Sequence, residues 1–297
     1  MRVYSLYNDY QQFLGIEDGG DMLNLTKAIS LYEAADSGFY DVVGEIDELI
    51  WDERFDREYL GAVMTFVAEH KLESVLKVEG SYKYNPPVTP GKVVALGNNY
   101  HDHIKEMNQV VPELPVLFGK WPSTIIGHGE AIEKPAGIGR MDYEAELAFI
   151  VSKRAKNVPA EDAMQYVAGY TCLNDISARE IQGKDLAKSL PWMPSKNFDT
   201  FCPMGPCVLL AEDVASPVKI GVKCRVNGEI KQDGNTNDFI FDIPEMIAYI
   251  TKIMTLEPGD VVTTGTPVGV GAIEPGDVVE VECEGIGVLR NAVVKAD

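Results

Sequence analysis

The sequence predicts an α+β fold, with many strands and few helices rather than a regular alternation of the two. Strand-like runs occur with little more than turn residues around them, most plainly at 142–150, 223–231 and 277–294. Helical spacing of apolar residues is confined to short windows, at 25–35, 59–76 and 242–254. The stretch Asn85-Pro86-Pro87-Val88-Thr89-Pro90-Gly91 cannot continue a helix or a central strand, because proline lacks the amide donor both need. It predicts a seam between a small leading α+β module, residues 1–84, and a larger body, residues 85–297.

At 297 residues the chain has room for one large domain or two unequal ones. A hydrophobic fraction of 45% excludes a disordered chain. The net charge of −20 argues against a nucleic-acid partner, since phosphate binding needs a basic surface. It does not exclude a small anionic substrate, because a metal and a few local cations can make a positive pocket in an acidic protein. The five cysteines, Cys172, Cys202, Cys207, Cys224 and Cys283, show neither zinc spacing nor a disulfide framework, and are expected reduced and buried. No apolar signal core opens the chain and no window reaches membrane-spanning length, so a cytoplasmic location is expected.

In the leading module, 2–7, 13–16 and 22–25 read as short strands, with Asp18-Gly19-Gly20 as a turn and 25–35 as a helix. The acidic run 45–58 reads as a solvated face. Leu60, Met64, Val67, Leu72 and Val75 give 59–76 a helical apolar stripe, and His70 within it is assigned no function. After the seam, 92–96 is a buried strand ending at Gly97-Asn98-Asn99-Tyr100. His101-Asp102-His103-Ile104-Lys105-Glu106-Met107 follows. If it is helical, His103 and Glu106 share a face. A carboxylate on an imidazole fixes its tautomer and raises its basicity, which makes a general base. A plain surface pair is the alternative. Two of the four histidines lie in this segment. Residues 115–120 form another strand, and His128 between glycines reads as a turn histidine.

The stretch 142–179 holds the chemistry. In Asp142-Tyr143-Glu144-Ala145-Glu146-Leu147-Ala148-Phe149-Ile150, strand alternation puts Glu144 and Glu146 on one face and Tyr143, Ala145, Leu147 and Phe149 on the other. Neighbouring carboxylates repel unless water or a cation neutralises them. Asp175 follows a second strand-like run, beside Asn174 and Arg179. Three hard oxygen donors suit Mg²⁺ or Mn²⁺; the competing reading is a strand with a solvated acidic face. Lys196, in the loop-like 191–200, is a candidate for holding an anionic group, against its reading as a surface lysine. Asn227-Gly228 marks a hairpin, and 242–254 an amphipathic helix capped by Asp242. The glycine-rich 260–271 is not a phosphate loop, but its amides and the Thr266 hydroxyl are placed where a carboxylate could bind. The segments around 107–114 and 183–195, which would shape a distal pocket, read as loops.

Five words in order carry a resemblance: Gly97-Asn98-Asn99-Tyr100-His101-Asp102-His103, Asp142-Tyr143-Glu144-Ala145-Glu146-Leu147, Asn174-Asp175-Ile176-Ser177-Ala178-Arg179, Lys196-Asn197-Phe198-Asp199-Thr200-Phe201-Cys202-Pro203 and Thr264-Gly265-Thr266-Pro267-Val268-Gly269-Val270-Gly271. Over roughly residues 86–297 the chain resembles the fumarylacetoacetate hydrolase family. The resemblance implies a mixed β-roll of packed sheets with peripheral helices, and a homodimer. It implies divalent-metal ligands at Glu144, Glu146 and Asp175 and a water-activating dyad at His103 and Glu106. It puts Lys196, Gln182 and Thr266 near the substrate, with Tyr100 and Arg179 on the substrate side as well. Glu180 departs from the aspartate many relatives carry after the arginine.

The reaction so implied is Mg²⁺- or Mn²⁺-dependent hydrolysis of a C–C bond in an acylpyruvate or related 2-oxo acid, as in the catabolism of aromatic compounds. His103, oriented by Glu106, would activate water, and Lys196 would hold an oxyanion or carboxylate. Decarboxylation, tautomerisation or isomerisation of a 2-oxo diacid uses the same enolate chemistry and competes with it. A further competitor is a protein that binds metal without catalysis.

Overall fold

Ala145–Val151 lies at the middle of an eleven-stranded sheet and is buried along its whole length. The computed structural model describes residues 1–38, 40–106 and 110–296. From one edge the sheet runs Asp21–Asn24, Gln12–Asp18, Arg2–Tyr7, Cys202–Leu210, Val167–Asn174, Ala145–Val151, Val261–Thr263, Val93–Gly97 and Val116–Lys120. Two short strands join off this path, Lys83–Tyr84 on Arg2–Tyr7 and Ile125–Ile126 on Cys202–Leu210. A five-stranded sheet (Glu229–Asn235, Gly221–Val226, Val278–Cys283, Gly287–Lys295, Ile132–Lys134) and a three-stranded one (Ser177–Ala178, Met141–Tyr143, Gly271–Ala272) complete the β structure. This is the α+β architecture expected, with few and mostly peripheral helices.

The alternation along 143–151 sorts residues between two cores rather than between core and solvent. Tyr143, Ala145, Leu147 and Phe149 belong to one cluster, while Ala148 and Ile150 belong to a second on the opposite face. Glu146 falls in register with Ala148 and Ile150. Both faces of the strand are therefore covered, and a charge on it needs a partner or a cavity.

The proline seam at 85–91 turns the chain without breaking the sheet. Arg2–Tyr7 pairs antiparallel with Cys202–Leu210, and the second core joins Val3, Leu14 and Leu60 to Val93, Ile150 and Val261. The 1–84 segment thus extends the larger body's sheet and shares its core. Two local expectations change. The acidic run is not wholly solvated: Ile46–Trp51 is a helix that buries Ile46, Leu49 and Ile50, since its apolar residues recur at helical spacing among the acids. The 59–76 stripe is two helices, Arg57–Glu69 and Glu73–Leu76, parted at Lys71, whose φ is +55°.

Other elements form as their sequences direct. Asn227 and Gly228 both take positive φ, 54° and 81°, the turn that joins twisted hairpin strands most readily. Asp242 accepts from the Glu245 amide and Glu245 returns the bond, closing a capping box on Ile243–Ile253. All five cysteines are buried and free. Among the described residues no helix is long and apolar enough to cross a membrane.

Candidate metal centre and catalytic site

Strand register brings the acids together. Ala145 pairs with Asn174, so the residues just beyond, Glu144 and Asp175, meet where the two strands end, and the Asp175 amide donates to the Glu144 carbonyl at 2.8 Å. Asn174 Oδ1 accepts from the Glu144 amide at 3.0 Å. Glu144 itself stands between strands, where the chain passes from the three-stranded to the eleven-stranded sheet. Carboxylate oxygens of Glu144, Glu146 and Asp175 lie within 4.8 Å of one another, and all three residues are buried. The competing reading, a solvated acidic face, does not hold.

Cations grip two of these acids. Lys196 Nζ is 2.6 Å from Glu144 Oε2 and 2.6 Å from Asp175 Oδ2. Lys196 is therefore not a surface lysine but a buried one, 3% exposed. Arg179 bonds Glu144 Oε1 through Nη2, Asp142 Oδ2 through Nε at 2.8 Å and Gln182 Oε1 through Nη1 at 2.5 Å. Burial opposes ionisation of Glu144, but Lys196 and Arg179 outweigh it and hold the carboxyl well below its usual range. Burial works against Lys196 too, and Asp175 and Glu144 overcome it, raising the ammonium's pKa. Glu146 differs: among the described residues it makes no ion pair, and its Oε2 accepts from the Gly265 amide at 2.9 Å. Burial first, then the neighbouring Asp175 and Glu144, push it well above the carboxylate range.

This donor set fits a hard divalent cation. Three buried oxygen ligands with no thiolate or imidazole among them suit Mg²⁺ or Mn²⁺, and a cation there would relieve the repulsion that raises Glu146.

His103 and Glu106 come from the short helix His101–Glu106, which starts where Val93–Gly97 leaves the sheet. Asn99 fixes that exit: its side chain donates to the carbonyls of Thr264 at 2.9 Å and Phe241 at 3.2 Å, and accepts from the Phe241 amide at 2.9 Å. His103 Nδ1 lies 3.4 Å from Glu106 Oε2, an approach without good hydrogen-bond alignment. Burial lowers the His103 pKa below 6.5, with Glu144 and Glu106 opposing that shift. The imidazole is neutral at neutral pH and able to accept a proton. Met107, which closes the expected helical segment, lies outside the described residues, as do 108 and 109.

A cavity of about 60 Å³ joins these groups; its lining includes His103, Glu144, Glu146, Asp175, Lys196 and Thr266. Arg179 and Gln182 also line it. They sit on the helix Arg179–Ala187, which occupies a stretch expected in part as loop, with too weak an apolar stripe to announce itself. The Thr266 hydroxyl donates to the Ala145 carbonyl at 2.9 Å and accepts from Gln232 Nε2 at 2.8 Å, so its orientation is fixed. Tyr100 is placed differently from the other expected residues. It is 1% exposed, packs edge-on against Phe239, and its hydroxyl has no hydrogen-bond partner among the described residues. It is absent from this cavity's lining. Glu180 accepts from the Arg140 amide at 3.2 Å and is absent from the cavity's lining.

Several residues of the site escape a reading of the sequence. Lys120 is buried, with Nζ 2.6 Å from Asp175 Oδ1 and 2.7 Å from the Lys196 carbonyl. Its signal was a lysine closing the largely apolar strand Val116–Lys120. Gln232, on the hairpin, accepts from the Ala145 amide at 3.0 Å and has no local cue. Phe118 and Trp192 also line the cavity.

Residues 92–294 match the family model described as fumarylacetoacetate (FAA) hydrolase, C-terminal. The chain is 41% identical over 244 residues to the mitochondrial oxaloacetate tautomerase FAHD2A of Homo sapiens, covering 79% of this chain and 77% of that one. Two solved structures superpose over 100% of both chains: fumarylacetoacetate hydrolase from psychrophilic Exiguobacterium antarcticum, with a TM-score of 0.77 at 31% identity, and maleylpyruvate hydrolase from Sphingobium sp. SYK-6, with 0.75 at 30%.

Proposed function

Because the chain belongs to the fumarylacetoacetate hydrolase family, we propose that it is a divalent-metal-dependent enzyme acting on a short 2-oxo acid, and that its reaction is the keto–enol tautomerisation of an oxaloacetate-type diacid. The observation that carries this reading is the placement of His103, a neutral and buried imidazole, on the same small cavity as the seat formed by Glu144, Glu146 and Asp175. The 41% identity to a chain named oxaloacetate tautomerase supports the choice among family reactions.

Glu144, Glu146 and Asp175 would hold Mg²⁺ or Mn²⁺, which when bound supplies a Lewis acid that stabilises negative charge on the 2-oxo oxygen. The chain's own groups do the rest. His103 takes the proton from the carbon beside the 2-oxo group, and the electron pair left behind forms the carbon–carbon double bond of the enol. The proton is returned to the oxygen, so no atom is gained or lost. Nδ1 faces Glu106, which leaves Nε2 as the nitrogen for the substrate. Glu106 stabilises the imidazolium that forms in transit. Lys196 and Arg179 fix Glu144 and Asp175, and they keep positive charge beside an anionic substrate.

Hydrolysis of an acylpyruvate is the second reading. It is favoured by the likeness to a maleylpyruvate hydrolase and by a His103–Glu106 pair able to activate water. A mass-resolved product assay separates the two. Protein with Mg²⁺ would be given oxaloacetate, acetylpyruvate, fumarylpyruvate and an unsaturated 2-oxo diacid. Tautomerisation conserves mass and shifts the spectrum; cleavage to pyruvate and a second acid, lost in His103→Ala, would establish hydrolysis instead.

A further inference from the structure

We infer that Trp192, braced by Phe118, sets the length limit of the substrate, so that the site takes 2-oxo acids carrying only a short distal group. This inference rests on the proposed 2-oxo acid reading and extends it. The lining is chemically mixed: the acids and their cations share it with an apolar group, Phe118, Leu186 and Trp192. At about 60 Å³ the cavity is far smaller than the roughly 300–1,000 Å³ of pockets that hold drug-sized ligands, and suits a small molecule.

Trp192 is a fixed wall and not a passing side chain. Its carbonyl accepts from the Ser195 amide at 3.0 Å and the Ser195 hydroxyl at 2.6 Å, and Ser195 is fully buried. Its ring meets Phe118 edge-to-face, with centroids 6.1 Å apart and planes at 88°. Gly97 makes the room: a Cβ there would stand 3.2 Å from Trp192 Cζ2. Phe118 in turn lies under Lys196, whose Nζ is 5.3 Å from the ring centroid, so the wall is tied to the charged groups. Trp192 and Leu186 both reach solvent, with Leu186 46% exposed. Shortening the indole therefore opens the cavity outward and leaves no sealed void in the core.

The test compares two probes by calorimetry on Mg²⁺-loaded protein: oxalate, which has no distal group, and phenylpyruvate, which carries a ring beyond its 2-oxo acid head. In Trp192→Ala the phenylpyruvate-to-oxalate affinity ratio should rise at least about tenfold over wild type, the scale on which apolar pockets discriminate small groups. Trp192→Phe, which keeps a ring, should fall between the two, and thermal melting checks that each variant is folded. Oxalate bound normally with an unchanged ratio in both variants overturns the wall. Failure of wild-type protein to bind oxalate with Mg²⁺ overturns the 2-oxo acid reading, and the wall with it.

Discussion

Glu106 is held by Gly269: the Gly269 amide donates to both its carboxylate oxygens, at 3.3 and 3.2 Å. The glycine-rich loop thus positions the group that faces His103. Gly269 has φ of +100°, and any Cβ there would run into the Lys231 carbonyl, so only glycine serves. Tyr143 fixes the same loop by donating to the Gly269 carbonyl at 2.9 Å.

The His103–Glu106 pair predicts a pH dependence. Burial lowers the pKa of His103 from 6.5, so its neutral form persists below that pH, and the acid limb of kcat/KM should lie below 6.5. Glu106 acts in the opposite direction, raising that pKa. Glu106→Gln should therefore shift the limb to still lower pH while reducing kcat. The same group has a linkage consequence: the unfolded chain binds its proton first, so stability is lost as pH falls from 6.5 towards the folded value. A pH–rate profile with the limb above 6.5 would count against His103 as the base.

Glu146→Gln should act oppositely on metal binding and on the metal-free fold. Loss of a ligand should weaken Mg²⁺ binding by more than the roughly 10–100-fold that loss of an outer partner costs. Without metal, however, an acid whose folded pKa is raised above 4.5 destabilises the protein as pH rises past that value. Removing it should raise the metal-free Tm at neutral pH by about 1–2 °C, the equivalent of ~1 kcal/mol at roughly 2.1 cal/mol/K of unfolding entropy per residue. Calorimetry and thermal melting read the two effects separately.

Lys120→Met tests the buried lysine. It strips Asp175 Oδ1 of its ammonium while Lys196 keeps the other oxygen. Leaving one member of a buried pair uncompensated costs about 3–5 kcal/mol, and the retained Lys196 places the expected loss near ~3 kcal/mol. Urea denaturation of wild type and variant measures it directly.

Chelation separates a catalytic ion from a structural one. The cluster lies against a sheet with a continuous apolar core on both faces, so the fold does not depend on an ion for its closure. Excess chelator should abolish turnover and change the Tm by only a few degrees, with Mg²⁺ restoring activity. Collapse of the fold on chelation would instead mark a structural ion.

The parts of the fold written in local patterns were legible: the Asn227-Gly228 hairpin, the capped helix Ile243–Ile253 and the strand Ala145–Val151 all carry their signals within a few residues. The acidic set was legible because Glu144 and Glu146 stand two apart about the start of one strand and Asp175 adjoins Asn174, the register partner of Ala145. What stayed hidden depends on distant contacts. That Arg2–Tyr7 would extend the central sheet is fixed by pairing with Cys202–Leu210, some two hundred residues away. Lys120 and Gln232 acquire their roles only when other elements bring Asp175 and Thr266 beside them. Tyr100 shows the converse: it stands in a site word, yet its ring turns onto Phe239.

In the proposed reaction His103 moves a proton on a 2-oxo acid held at the carboxylate seat. The most direct measurement is the rate of enol-to-keto conversion of oxaloacetate, followed by ultraviolet absorbance with Mg²⁺ present. Wild-type protein should accelerate the conversion without release of carbon dioxide or pyruvate, and His103→Ala should lose at least about 10²-fold of that acceleration, the low end of what general acid–base catalysis contributes. Full acceleration in His103→Ala, or no acceleration by a wild-type protein that binds Mg²⁺, would contradict this role.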